Sequence, residues 1–112
     1  MKPLVWLGSS REDVCSFPPE ARRDSGYQLY RVQTGLVPSD WKAMPSAGPG
    51  VQEIRVHAGS EYRVIYVAKY KEAVYVLHAF VKRTPKTAKS DLAVARQRLQ
   101  ALLQGRGHDE KA

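Results

Sequence analysis

Cysteine is almost absent from this chain of 112 residues, because Cys15 is the only one. A single cysteine excludes an intramolecular disulfide, and it also excludes a zinc site built from cysteines. Both exclusions suit a protein of the reducing cytoplasm. A lone cysteine most often serves as a small buried apolar residue, and we expect Cys15 to be one.

Long apolar runs are also missing. The run at the start of the chain, Leu4 to Leu7, is too short for the core of a signal peptide, and no later run approaches the length that spans a membrane. We therefore expect a soluble, unprocessed cytoplasmic protein with no membrane partner. The length predicts one domain over residues 1–112, because it supports one hydrophobic core and is too short for two.

Acidic residues are scarce relative to basic ones. The chain has 11 Asp and Glu against 18 Lys and Arg, which gives a formal net charge of +7. Such an excess favours a polyanionic partner, and RNA, DNA and an acidic protein all satisfy it. Charge alone does not choose among them.

The first half of the chain predicts a short strand followed by a helical hairpin. Leu4–Leu7 has the pattern of a strand, and a first helix begins near Arg11 after a break at glycine and serine. A second helix begins at the proline pair that includes Pro19 and is closed by Gly35. The following residues, Val37–Gly50, are rich in Pro, Ser and Gly and predict a connecting loop.

The second half predicts a three-stranded antiparallel meander and a terminal helix. The strands are Gln52–His57, Tyr62–Val67 and Val74–Val81, each rich in β-branched, aromatic or alternating apolar residues. Ala88–Gln104 places its leucines on one helical face, and a polar, frayed tail begins at Gly105. The predicted fold class is therefore α+β.

Positive charge is expected to gather at one end of this meander. A polar turn between the last two strands pairs Arg63 with a residue near His78 or Ala79. The arginine then lies close to the exit of the final strand, where Lys82 and Arg83 follow. A rigid sheet with cations at one end can hold a phosphodiester.

Several short blocks along the chain are typical of one protein superfamily. They are Leu4 to Ser10, Phe17-Pro18 with Arg22 and Arg23, Glu53-Ile54-Arg55, Tyr62 to Tyr66, Val74 to Phe80, Lys82-Arg83 and Lys86-Thr87. In this order they resemble the RelE/HigB superfamily of toxins from type II toxin-antitoxin systems, specifically its phage-derived HigB-like branch. The resemblance covers nearly the whole chain.

The resemblance implies a fold, an activity and a partner. The fold would be a RelE-like twisted antiparallel sheet, formed by the short first strand and the meander, with the helical hairpin and the terminal helix packed on one side. The activity would be ribosome-dependent cleavage of messenger RNA, which inhibits translation and growth. A cognate antitoxin, often of the helix-turn-helix type, would silence the toxin.

The resemblance also implies roles for particular residues. Arg63 matches the arginine of the Tyr-Arg strand motif, which contacts the scissile phosphate. Arg55 matches a basic position on the preceding strand, and Lys82 with Arg83 matches the basic pair after the last strand. Glu53 stands where relatives have a second lysine, so it is either a general base or a salt-bridge partner.

Cleavage of RNA by its own 2′-hydroxyl needs a base, an acid and cations that stabilise the phosphorane, and it needs no metal or cofactor. Arg63 and Arg83 suit the stabilising role because a guanidinium remains charged and can bind phosphate through two donors. His78 suits the acid or base, although its apolar neighbours on the strand also fit a core histidine. Further cations are expected to bind RNA as a basic stripe, and they are Lys86, Lys89 and Arg96.

A non-catalytic binding module on the same scaffold, similar to toxins that inhibit gyrase or to a nucleic-acid-binding protein, is the alternative. The two interpretations differ in whether Arg63, Arg55 and Lys82 or Arg83 converge on one surface. A free-standing helix-turn-helix DNA-binding protein is a weaker interpretation, because prolines interrupt the helices near the N-terminus.

Overall fold

The computed structural model describes the backbone from Met1 to Lys111 and the side chains from Met1 to Arg106. The elements in chain order are β1 Leu4–Trp6, α1 Ser10–Cys15, α2 Pro19–Gln33, β2 Trp41–Ala43, β3 Val51–Ala58, β4 Ser60–Val67, β5 Val74–Lys82 and α3 Lys89–Lys111. The α+β fold class predicted from the sequence is confirmed. None of the helices in this described part of the chain is long and apolar enough to cross a membrane.

The strands form one sheet in the order β1-β5-β4-β3-β2. The meander of β3, β4 and β5 is antiparallel, as predicted. The expectation of a wholly antiparallel sheet is wrong at one edge, where β1 pairs with β5 in parallel. The parallel pair arises because α1 and α2 lead the chain away from β1, and β5 returns beside it in the same direction.

The segment predicted as a plain connecting loop contains a strand. In β2, Trp41 and Ala43 pair antiparallel with Ile54 and Gln52 of β3. The backbone N–H of Met44 donates to the carbonyl of Val51 at 2.8 Å and extends this pairing. Three residues between prolines give no periodic signal, so only the neighbouring strand defines β2.

Helices cover both faces of the sheet, which corrects the expectation of helices on one side. On the first face, Ala21 and Leu29 of α2 pack against a cluster that includes Ile54 and Val64. On the second face, Ala95 and Leu99 of α3 pack against the cluster Met44, Ala47, Val51, Ile65, Val67, Leu77 and Phe80. We call these the α2 face and the α3 face.

A bulge in β5 interrupts the regular pairing of the last hairpin. Ile65 pairs with His78, whereas the next residue of β4 pairs with Val76, so Leu77 is an extra residue. Arg63 pairs with Phe80, the residue after Ala79, in agreement with the prediction of a partner near His78 or Ala79. His78 consequently shares the α3 face with Phe80, whereas Val76 lies on the α2 face.

Two further expectations are wrong. Cys15 is exposed, because the last turn of α1 directs the adjacent Val14 into the core and Cys15 away from it. The polar segment 105–111 is helical, since α3 continues to Lys111, and Ala112 lies outside the described residues. The guanidinium of Arg106 lies 3.8 Å from the ring centre of Tyr70 and pairs with Glu72, which holds this part of α3 against the β4–β5 turn.

Candidate functional site

Charged side chains occupy one end of the α3 face. Strand alternation places Glu53, Arg55 and His57 of β3 on the same side as Val51, which packs against α3. The register then sets neighbours from β4 and β5 beside them. The resulting group, which we call the charged face, consists of Glu53, Arg55, His57, Glu61, Arg63, His78 and Lys82.

The pairing arranges the charged face in three rows across the strands. Glu53, Ile65 and His78 form one row. Arg55, Arg63 and Phe80 form the next. His57, Glu61 and Lys82 form the row nearest the β3–β4 turn. The two predicted phosphate-binding arginines therefore lie directly opposite one another on adjacent strands.

Arg63 is almost completely buried, with 5% of its surface exposed. Its Nη1 donates to the carbonyl oxygen of Tyr62 at 2.9 Å and to Glu61 Oε1 at 3.1 Å. A buried guanidinium needs such partners, because an uncompensated buried charge is strongly destabilising. Both bonds use the same nitrogen, so they fix one corner of the guanidinium.

Arg55 is paired with a buried carboxylate. Its Nε lies 3.3 Å from Glu53 Oε1, and only 4% of Glu53 is exposed. Glu53 therefore is a salt-bridge partner in this structure, which was one of the two roles expected for it. Its second oxygen, Oε2, is buried and has no hydrogen-bond partner.

His57 bridges two carboxylates at the edge of the charged face. Its Nε2 lies 2.7 Å from Asp40 Oδ2, and its Nδ1 lies 2.7 Å from Glu61 Oε2. Donation to both carboxylates requires a proton on each ring nitrogen, which only the imidazolium has. The hydrogen bonds to Asp40 and then to Glu61 raise the pKa of His57, and the bond from His57 lowers the pKa of Glu61.

His78 is held by the first turn of α3. Its Nε2 lies 2.8 Å from Asp91 Oδ1, and its ring stacks on Phe80 with centres 5.2 Å apart. Only 8% of His78 is exposed, and its Nδ1 is buried without a partner. A carboxylate on one nitrogen sets the orientation of the ring and leaves the other nitrogen available for proton transfer.

Three buried polar atoms of the charged face have no hydrogen-bond partner, namely Glu53 Oε2, Arg63 Nε and His78 Nδ1. The other such atom in the described side chains is Ser25 Oγ in α2. Buried polar groups normally find partners, so a cluster of unpaired ones is typical of a site that binds a ligand or performs chemistry. The acceptor of Glu53 and the imidazole nitrogen of His78 belong to one row of the charged face, and the cationic donor of Arg63 belongs to the next row.

Cations border the charged face where β5 ends. Lys82 is half-buried, and Arg83, Lys86 and Lys89 are exposed between β5 and the start of α3. Within the described part of the chain, none of these four side chains forms an ion pair. We call them the basic rim, and it carries the uncompensated positive charge of this region.

Arg83 lies between two grooves. A groove of about 250 Å³ separates the end of β5 from α3 and is lined by Lys82, Arg83 and Asp91, among others. A second groove, of about 520 Å³, is lined by Phe17, Tyr62 and Arg83, among others. An extended polyanion can therefore pass from one groove to the other along the basic rim.

Other predicted residues lie away from the charged face. Arg96 is exposed on α3, and its Nε donates to the carbonyl of Ser46 at 2.7 Å. Its guanidinium is thus directed toward the β2–β3 connection and not toward the basic rim. Tyr70 packs under Arg106 in the β4–β5 turn, at the opposite end of these strands from the charged face.

Sequence reasoning missed three carboxylates that organise the site: Asp40, Glu61 and Asp91. Glu61 had a usable signal, because it precedes Arg63 by two residues and must share its strand face. The other two reach the charged face from the segment before β2 and from α3, so no local pattern reveals them. In the described residues, no group of three or more His, Cys, Asp or Glu is arranged to hold a metal ion.

The five-stranded sheet, its helices and the arginines on adjacent strands define a small α+β protein whose architecture is consistent with the RelE-like fold. The chain belongs to the phage-derived protein Gp49-like family (DUF891), whose model matches residues 12–100. This is a family of RelE/HigB-like toxins, and membership indicates a toxin-like module. No curated protein matches the chain.

Proposed function

We propose that this protein is the toxin of a type II toxin-antitoxin system and that it cleaves messenger RNA endonucleolytically on the ribosome. The observation that carries the proposal is the cluster of unpaired buried atoms, Glu53 Oε2, Arg63 Nε and His78 Nδ1, beside a basic rim. These atoms supply the base, the phosphate-binding cation and the acid that 2′-hydroxyl attack requires.

The spacing of the strands supports this assignment of roles. Glu53 and His78 are separated by one intervening strand, which places their backbones about 10 Å apart. Ile65 lies between them in the same row, so a phosphodiester would lie over Ile65 with the two side chains on either side of it. Glu53 would remove the 2′-proton, and His78 would protonate the leaving 5′-oxygen.

The cations would stabilise the charge that develops on the phosphate. Arg63 would bind the scissile phosphate, and Arg55 would assist from the adjacent strand. Lys82 and Arg83 would bind the neighbouring backbone, and Lys86 and Lys89 would extend the contact toward ribosomal RNA. Arg96 contributes only at a distance, because its guanidinium is engaged with Ser46.

An antitoxin of the helix-turn-helix type is the proposed partner, and the cytoplasm is the proposed compartment. The formal net charge of +7 and the unpaired basic rim favour an acidic surface on that partner. Covering the basic rim would block RNA and silence the toxin.

One observation favours a second function, a non-catalytic nucleic-acid-binding module. Arg55 and Arg63 each already hold a carboxylate, so among the described side chains of this region the free positive charge lies on the basic rim. A rim of cations binds a nucleic-acid backbone without cleaving it. The experiment must therefore separate growth arrest from RNA cleavage.

The test is induction of the protein alone in a bacterium, followed by mapping of the 5′ ends of transcripts. Arg63→Ala is compared with Arg23→Ala, which removes the same charge from an exposed position on α2. We expect the wild type and Arg23→Ala to stop growth and produce new 5′ ends within translated codons, and Arg63→Ala to do neither at equal expression.

Growth arrest with intact messages would contradict cleavage and favour the binding module. New 5′ ends that persist in Arg63→Ala would show that the nuclease site lies elsewhere on the molecule.

A further inference from the structure

Three side chains outside the expected set of site residues form a continuous chain of hydrogen bonds that ends on Arg63. Asp40 contacts His57 Nε2, His57 Nδ1 contacts Glu61, and the other oxygen of Glu61 accepts from Arg63 Nη1. We infer that Asp40, His57 and Glu61 form a positioning relay that presents the Nε–Nη2 edge of Arg63 to a phosphodiester. This inference rests on the proposed function.

The first step of the argument is the asymmetry of Arg63. Both of its hydrogen bonds use Nη1, which is fixed by the Tyr62 carbonyl and by Glu61. Nε is buried without a partner, and in the described part of the chain Nη2 forms no hydrogen bond. The Nε–Nη2 edge is one of the two edges through which a guanidinium binds two oxygens of a phosphate.

The second step is the anchoring of Glu61. The side chain of Glu61 is 44% exposed and lies near the β3–β4 turn, where a free carboxylate would sample several rotamers. His57 removes that freedom by binding its second oxygen at 2.7 Å. Asp40 in turn fixes His57, and the carbonyl of Asp40 accepts from the backbone N–H of Arg55 at 2.9 Å.

The third step is the charge that surrounds the relay. Charged groups face His57 from four parts of the chain. They are Asp40 in the segment before β2, Arg55 on β3, Glu61 and Arg63 on β4, and Lys82 on β5, which pairs with Glu61 in register. Two carboxylates facing His57 favour its protonated form, which alone donates to both. When His57 is protonated, the relay and Arg63 together have no net charge, because two carboxylates balance an imidazolium and a guanidinium. The relay therefore fixes Arg63 without adding negative charge that would repel RNA.

The test measures binding of a single-stranded RNA in which 2′-O-methyl groups block cleavage. Glu61→Ala should weaken binding about tenfold, the equivalent of one charge-assisted hydrogen bond. Glu61→Gln, which retains an acceptor for Nη1, should recover part of the loss. Glu20→Ala removes the same charge from an exposed position on α2 and should bind like the wild type.

His57→Gln adds a pH readout to this comparison. In the wild type, binding should weaken as pH rises through the raised pKa of His57, because the neutral ring can donate to only one carboxylate. His57→Gln should bind at the weaker level throughout and lose that dependence. A wild-type dependence that survives unchanged in His57→Gln would overturn the relay.

A second measurement works without RNA. The Nε–H resonance of Arg63 should exchange slowly with water and shift on titration with inorganic phosphate, and Glu61→Ala should speed the exchange and reduce the shift. If the wild type fails to bind or cleave RNA but shows this pattern, the relay stands and the proposed function fails. If Glu61→Ala binds RNA equally or more tightly, Glu61 is a competitor for Arg63 and the relay is wrong.

Discussion

The two faces of the same three strands carry opposite kinds of residue. On the α2 face, Ile54, Val56 and Val64 are fully buried among apolar neighbours. On the α3 face, the residues that precede each of them in sequence are Glu53, Arg55 and Arg63, and two of these three are as inaccessible as the core. The difference shows that burial alone does not mark a structural residue. A buried charge with an unpaired atom marks the candidate site.

The largest loss of stability should follow from truncating a buried side chain on the apolar α2 face. Ile54→Ala removes a completely buried side chain and should destabilise the protein by about 3 kcal/mol, because the space left behind does not refill. Unfolding in urea measures this loss.

Arg55→Ala is the matched control for the opposite face. Arg55 is adjacent in sequence and its side chain is 30% exposed, but its loss leaves the buried Glu53 carboxylate without its partner, so the substitution should cost about 2 kcal/mol. Equal losses from the two substitutions would show that both faces support the fold equally.

An intermediate effect should follow from making the α3 face resemble the α2 face. Glu53→Leu replaces a buried carboxylate, one oxygen of which is unpaired, and should leave stability unchanged or raise it by up to about 1 kcal/mol. The same change should lower the proposed RNA cleavage at least about 100-fold, because it removes the proposed base. Urea unfolding and a cleavage assay on translating ribosomes measure the two quantities.

Glu20→Gln serves as the neutralised control, since Glu20 is exposed on α2. Full cleavage by Glu53→Leu would exclude Glu53 as the base. A large loss of stability in Glu53→Leu would instead assign Glu53 to the fold.

The smallest effect should be a pH dependence of stability caused by His57 and Glu61 on the α3 face. Hydrogen bonds to Asp40 and then Glu61 raise the pKa of His57 in the folded protein above its ordinary value of 6.5. The stability that His57 contributes is therefore fully present below pH 6.5 and is lost as the pH rises through the pKa of the folded state. The lowered pKa of Glu61 acts in the other direction, and its contribution is lost in acid as pH falls through the folded value.

Unfolding of the wild type and His57→Gln at a series of pH values measures this effect. The stability difference between the two proteins should shrink as the solution becomes alkaline. A difference that stays constant with pH would mean that His57 does not titrate as a bridge between Asp40 and Glu61.

Much of the fold could be predicted from the sequence because its signals are local. Alternating residues predict β3 to β5, the prolines before Glu20 predict the start of α2, and the leucines of the terminal segment predict α3. The placement of Arg55 and Arg63 together on one face also follows from strand parity alone. The faces of these residues can be predicted without knowing which distant residues pack against them.

The rest of the site could not be predicted, because it depends on tertiary contacts. Asp40 reaches His57 only because β2 pairs with β3, and Asp91 reaches His78 only because α3 packs on that face. The contact of Glu53 with Arg55 and the unpaired Oε2 also could not be read from the sequence, because both depend on how the strands and α3 pack.

The extra residue in β5 reverses the face of the sheet on which the following side chains of this strand lie. Before Leu77, even-numbered residues of this strand point toward α2, and after it they point toward α3, so Val76 and His78 face opposite ways although they are two positions apart. Without the bulge, strict alternation would keep every side chain of the strand but place His78 on the α2 face with Val76, which would send the imidazole into the hydrophobic layer. For any relative of this chain, the presence of that bulge decides whether a histidine two positions after the valine can belong to the site at all.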